Sequence, residues 1–208
     1  AHAMPGAGIL HTSRGTFGYP ERALIQRKSI APASVIEAAA LARERNGWLI
    51  AEESIGVSGA GDLAILTSRK DFRIATGKKS ALSEKWRSIR RAPLRLLPPG
   101  CAARAPNEVS VEDAVQCRGD ECIYTCNGWI GSFRNPLLAL SAYREPLMMA
   151  AAAACLLSVD PAPLTAFPAL EGRMAHRWSA GTLIVDNANS GTSAETTIEA
   201  AAYARALA

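Results

Sequence analysis

"GILHTSRGTFGYPERALIQRKSIAPASVIEAAALARERNGWLIAEES", residues 8–54, decides the class of fold. Its first four residues, Gly8 to His11, are an apolar run that opens into the polar stretch "TSRGT". "PASVIEAAALARERNG" then reads as a helix, with Gly47 as its stop signal. "GWLIAEES" is the next strand. This order predicts parallel strands joined by a crossover helix, and therefore an α/β protein.

Outward from this unit the alternation continues. "DLAILTSRKD" is a third strand with a polar exit, followed by a helix around "KKSALSEKWRSIRR" that Pro93 ends. "NEVSVEDAVQCRGDECIYTCNGWIGSF" predicts small antiparallel strands with turns at Gly119 and Gly128. A helix follows from Pro146. The Pro-rich "VDPAPLTAFPALEGR" separates it from a closing strand, turn and helix, Thr182 to Ala208, whose strand has no evident partner. A domain boundary is expected near residues 174 to 181.

The chain has 208 residues, 49% of them apolar and 20% charged, so it is long enough for a substantial core and not disordered. A net charge of +4 is too small to imply nucleic acid and suits an anionic ligand. The longest apolar stretch, Leu147 to Val159, is about half a membrane span, so no membrane association is expected. The first residues carry no signal-peptide pattern, and five cysteines are an odd number, so a cytoplasmic location is expected.

Polar residues gather at four strand exits: Thr12 to Thr16, Glu52 and Ser54, Thr67 to Asp71, and Asp186 to Thr192. Ligands of open α/β sheets bind beyond the carboxyl ends of strands, so these clusters are the candidate site. "TGKKS" lacks the glycine and hydroxyl positions of a complete phosphate-binding loop, Phe72 and Lys79 standing there instead. Cys117, Cys122 and Cys126 are spaced C-x4-C-x3-C, with no obvious fourth ligand, and packed or free thiols are expected. A non-catalytic tetrapyrrole- or metal-binding module with these thiolates as ligands is the alternative.

Taken in order, the clusters resemble the central domain of the Mur ligase family, ATP-dependent enzymes that activate a carboxylate as an acyl phosphate. "AEES" looks like the family's strand ending in E-x-S, which implies Glu52 as a magnesium ligand. "AILTSRKDF" is similar to the next strand and its T-N…D-H exit, with Phe72 in place of histidine and Asp71 as the implied metal residue. "SEKW" falls where the family often has A-A-K, whose lysine is carbamylated in many members, which implies Lys85. "LEGRM" resembles the interdomain G-R-M/L-E element, placing Arg173 on the ATP phosphates.

"LIVDNANSGTSAE" is similar to the opening of the family's C-terminal domain, with Asp186 as the ribose residue and Asn187 and Asn189 beside the nucleotide. The D-N-A-N-S-G-T turn and "HTSRGT" resemble a branch of the family that acts on a nickel tetrapyrrole polycarboxylate and closes a carbocyclic ring. Ser13, Arg14 and Thr16 would hold the reacting carboxylate. An amide-forming ligase acting on a peptidoglycan precursor or a folate-like acid is the other enzymatic reading.

The resemblance implies a three-layer, mostly parallel sheet flanked by helices over residues 1–175. Residues 176–208 would then be the first strand and helix of a Rossmann-like domain. The family's phosphate loop is absent from this sequence, and so is most of its C-terminal domain. The expectation is an internal fragment that does not hydrolyse ATP alone.

Overall fold

In a computed structural model, residues 1–54, 56–188 and 193–207 are described. Strand β1 (Gly8–Thr12) turns through Ser13 and Arg14 into antiparallel β2 (Gly15–Tyr19), and β3 (Ala23–Gln26) pairs with the outer side of β2. Helix α1 (Pro32–Glu44) then crosses back, and β4 (Trp48–Ala51) lies parallel to β1. The predicted parallel pair and crossover helix are both present. The polar stretch after β1 leads into two further strands, which the sequence did not signal because "GTFGY" carries two glycines and no apolar run.

Helix α1 lies close to this sheet because its inward face is small. Ile9 is fully buried against Ala38 and Ala42, with Leu41 and Leu49 at the margin. A Cβ on Gly8 would run into the indole of Trp48, so this position takes no larger residue without displacing the ring.

A second sheet, of β5 (Leu63–Ile65), β8 (Leu94–Leu97) and β9 (Glu108–Ser110), is wholly parallel. Between β5 and β8 the chain forms a short antiparallel ribbon, β6 (Arg73–Ile74) and β7 (Lys79–Ser80), and helix α2 (Ala81–Ile89). Ser80 caps α2 by accepting from the Ser83 N–H at 3.0 Å. Arg95 and Glu108 face each other across β8 and β9, both largely buried, with Nε and Oε1 at 3.2 Å.

Helix α3 (Val111–Ala114) leads into the meander β10 (Val115–Arg118), β11 (Glu121–Cys126) and β12 (Trp129–Arg134). Its turns fall at Gly119 and Gly128, both at positive φ, as the sequence predicts. Helix α4 (Ser141–Leu156) covers it. The helix starts five residues before Pro146, which sits inside the helix rather than at its first position. Leu147, Ala151 and Cys155 of α4 pack with Val115, Cys122 and Phe133 in the main core, which also takes in Leu96 of β8.

The chain closes with β13 (Ala175–Ser179), β14 (Thr182–Asp186) and α5 (Ala194–Leu207). The segment expected to hold a boundary is a strand and turn, and β13 supplies the antiparallel partner that β14 lacked in the sequence. Met174 is fully buried in the main core, and Val185, Ala200 and Tyr203 pack against it.

The fold is therefore mixed α/β. The expected single, mostly parallel sheet is corrected: the strands form several small sheets, and most pairings among the described residues are antiparallel. The reason is local. Many strands are only two to five residues long, and glycine- or asparagine-containing turns return the chain on itself before a crossover can form.

Asn135 joins the β12 exit to the segment before "FPAL". It is buried, donates through Nδ2 to the carbonyls of Leu164 and Phe167, both at 2.9 Å, and accepts from the Leu137 N–H at 2.9 Å. Asn135→Ala strands these buried groups and should lower unfolding stability by about 2–4 kcal/mol in urea titration, from typical costs of unsatisfied buried groups. An unchanged midpoint would show that Asn135 holds nothing.

Candidate functional site

Because β1 and β4 are parallel, both chains leave the sheet at the same edge. Ser13 donates to Glu52 Oε2 through its N–H at 2.9 Å and its hydroxyl at 3.1 Å. The Glu52 N–H in turn donates to the His11 carbonyl at 2.8 Å, continuing the ladder. Two residues 39 positions apart are thereby locked at one strand end.

Beneath the turn, His11 and Thr16 are both fully buried. The Ser29 carbonyl, 3.1 Å from His11 Nε2, can only accept, so Nε2 carries the proton. Nδ1 then accepts the Thr16 hydroxyl at 2.8 Å. Thr16, expected at the ligand, instead faces inward and fixes the histidine. The expectation failed because residues 15–19 are a strand, which turns alternate side chains inward.

On the outer side, Arg14 Nη2 lies 3.4 Å from Glu171 Oε2, both side chains well exposed at 64% and 84%. Such a pair is worth little in water, so a ligand anion could take the place of Glu171 at small cost. Glu171 belongs to a turn that α4 holds from below. The Leu170 N–H donates to the Tyr143 hydroxyl at 2.6 Å, and that hydroxyl donates to the Arg173 carbonyl at 2.5 Å. Burial pushes the Tyr143 phenol up, keeping its proton on for this bond.

The same turn reaches β14. The Gly172 N–H donates to Asp186 Oδ2 at 2.9 Å, and the Ala188 N–H donates to Oδ1 at 3.1 Å. Asn187 Nδ2 donates to the Thr196 carbonyl at 3.3 Å, tying the strand exit to the first turn of α5. A continuous series of contacts thus runs from Glu52 through Ser13, Arg14, Glu171 and Gly172 to Asp186. Arg173, exposed, follows Gly172 in the chain, and it is its backbone that Leu170 and Tyr143 engage. Asn189, the remaining nucleotide residue of the sequence reading, lies outside the described residues.

Asp71 and Lys85 form a separate cluster at the start of α2. Asp71 Oδ1 accepts from the Phe72 N–H at 2.9 Å, the Ser80 hydroxyl at 2.9 Å and the Leu82 N–H at 3.0 Å. Lys85 Nζ sits 5.8 Å from the centre of the Phe72 ring. Among the described residues, no group of three or more His, Cys, Asp or Glu is placed to hold a metal ion.

The cysteines do not form a ligand set either. Cys117 and Cys122 stand opposite each other in the β10–β11 register, with Cα atoms 4.1 Å apart, and are joined as a disulfide. Expected as packed or free thiols, these two are neither free nor available as thiolates. Burial raises the remaining Cys126 thiol and pushes Cys155 up to about 11, so both stay protonated at neutral pH.

Sequence reasoning passed over Glu171 and Tyr143. Glu171 was legible, standing inside the quoted "LEGRM". Tyr143 was not, since a buried aromatic 27 residues before Leu170 carries no local signal. No family model, no curated protein and no solved structure matches the chain. No helix among the described residues is long and apolar enough to cross a membrane.

The Leu82 N–H, foremost among its partners, holds the Asp71 carboxyl below its ordinary 3.8, helped by the Ser80 hydroxyl. A lowered folded value means that the contribution is present above pH 3.8 and is lost as pH falls through the folded value. The Leu82 amide proton should therefore titrate below pH 3.8 in NMR spectra, and D71N should remove that titration. A midpoint at or above 3.8 would contradict the clip.

Proposed function

We propose that the chain belongs to a carboxylate-activating, ATP-dependent ligase of the Mur ligase kind. Within that kind the reading that fits best is an enzyme resembling coenzyme F-430 synthetase of methanogenic archaea. Its substrate would be the nickel seco-acid tetrapyrrole precursor, one propionate of which is activated as an acyl phosphate before a carbocyclic ring closes.

One observation supports this reading. Segments singled out by the resemblance, at Ser13–Arg14, Glu52 and Asp186, are joined by one series of hydrogen bonds and an ion pair through Glu171 and Gly172 of "LEGRM". Nothing in the linear order of the chain requires these segments to meet.

The donor set suits the cofactor. Magnesium takes one or two carboxylates and completes its shell with phosphates and water, and the exposed Glu52 offers such a carboxylate. Arg173 suits a phosphate. Both oxygens of Asp186 accept backbone N–H groups, and a carboxylate has acceptor sites left for ribose hydroxyls. ATP with magnesium supplies the phosphoryl group that turns a carboxylate oxygen into a leaving group.

In that reaction Arg14 exchanges Glu171 for the substrate carboxylate, and Ser13 keeps Glu52 in place. The carboxylate oxygen bonds to the γ-phosphorus as ADP departs. A ring carbon would then bond to the acyl carbon as phosphate leaves, its proton passing to the departing phosphate. Carbamylation of Lys85 would replace its contact with Phe72 by an anionic group on α2.

The protein, given ATP, magnesium and the nickel seco-acid, should yield ring-closed product, ADP and phosphate without any added amine. Glu52→Gln should lower kcat by about a hundredfold or more, the usual cost of losing one group that neutralises transition-state charge. A requirement for an amine would place the protein among amide-forming ligases and overturn ring closure.

A further inference from the structure

The second parallel sheet has a strand-end cleft of its own. The chain leaves β5 through Leu66, whose N–H still donates to the Leu96 carbonyl at 3.0 Å, and then runs through Thr67 to Lys70. It leaves β8 through Pro98 and Pro99. Between these exits lies an open cleft of about 500 Å³, whose lining also includes Glu145 of α4. This is the size of a small-molecule site, in the crevice where parallel sheets bind ligands.

Its polar groups are held, not loose. Arg69 Nη1 donates to the Gly100 carbonyl at 3.1 Å, and the Gly100 N–H donates to Glu112 Oε2 at 2.8 Å. The guanidinium is thereby fixed beside the proline wall with other N–H groups left to give. Gly100 adopts φ +73°, a backbone conformation that favours glycine, and the Arg69 guanidinium lies 3.1 Å from where a Cβ would stand. Ser68 Oγ accepts the Lys70 N–H at 3.0 Å, which leaves its hydroxyl proton to donate.

Two cations and two hydroxyls against one carboxylate make a cleft for oxyanions. Arginine's planar fork matches a carboxylate, and the lysine adds a mobile positive charge. Glu145 in the lining opposes a compact, multiply charged phosphate more than carboxylates spread along a carbon skeleton. We propose that this cleft is a subsite for the carboxylates of a small polycarboxylic acid, with Arg69 gripping one carboxylate and Lys70 and Ser68 supporting it. It rests on the proposed function only for the identity of that acid, whose non-reacting side chains would be anchored here.

The test uses the 208-residue chain without ATP, so its failure leaves ring closure untouched and failure of ring closure leaves the subsite untouched. Tricarballylate and, separately, pyrophosphate are titrated while the amide shifts of residues 67–70 are followed by NMR. Tricarballylate should bind saturably at these amides and more tightly than pyrophosphate. Arg69→Gln should raise its Kd at least about tenfold, the worth of a charge-assisted hydrogen bond. Lys70→Gln, whose side chain makes no structural bond to Gly100, should weaken it several-fold, and Arg177→Gln on the exposed β13 should change nothing. Shifts that never saturate, an affinity that both cleft variants leave unchanged, or tighter binding of pyrophosphate would each overturn the proposal.

Discussion

The parallel register of β1 against β4 is the constraint on which the rest depends. Gly8 lies opposite Trp48 and His11 opposite Ala51, so the two strands end together and Ser13 meets Glu52. Shifting that register by one residue would turn Ile9 away from Ala38 and Ala42 and open the small apolar cluster between α1 and its sheet. Burial of one isoleucine thus fixes the geometry of two polar residues at the surface. The glycine at position 8 belongs to the same constraint, because it lets the Trp48 ring lie flat on β1.

From that strand end the order passes to other parts of the molecule by contacts of unequal strength. The Ser13–Glu52 pair has two hydrogen bonds to a charged oxygen, and the Tyr143 hydroxyl is engaged as donor and acceptor in the Leu170–Arg173 turn. The Arg14–Glu171 link between these two firm regions is exposed and weak. A firm pair on each side of a weak one is the arrangement in which a ligand can enter without unfolding either support. The Thr67–Lys70 cleft, at the ends of β5 and β8, repeats the strand-end principle with a rigid proline wall and a fixed guanidinium.

The parts of this fold that the sequence made legible are those with a strong local signature. The parallel crossover of residues 8–51 and the glycine turns of the meander both follow from residues adjacent in the chain. The hairpin after β1 did not, since Thr16 and Phe17 stand as a pair between Gly15 and Gly18 and form no sustained alternation of apolar and polar side chains. Thr16 was accordingly placed at the ligand when it lies under the turn, bonded to His11. The partner of β14 was hidden for a different reason. "AHRWS" carries two charged or titratable residues in five and looks like a linker, yet it pairs residue by residue with "TLIVD". For the site, Ser13, Glu52 and Asp186 were legible as strand exits, whereas their connection through Glu171, Gly172 and Tyr143 depends on long-range packing that no local pattern encodes.

The most direct measurement of this account is amide hydrogen exchange at Ser13 in the wild-type chain and in Glu52→Ala, with the amides of β2 as internal reference. The contact across 39 residues predicts a slowly exchanging Ser13 amide that speeds up at least about tenfold in the variant while β2 stays protected. Equal Ser13 exchange in the two proteins would show that β1 and β4 do not bring Ser13 onto Glu52, and the candidate site would lose its anchor.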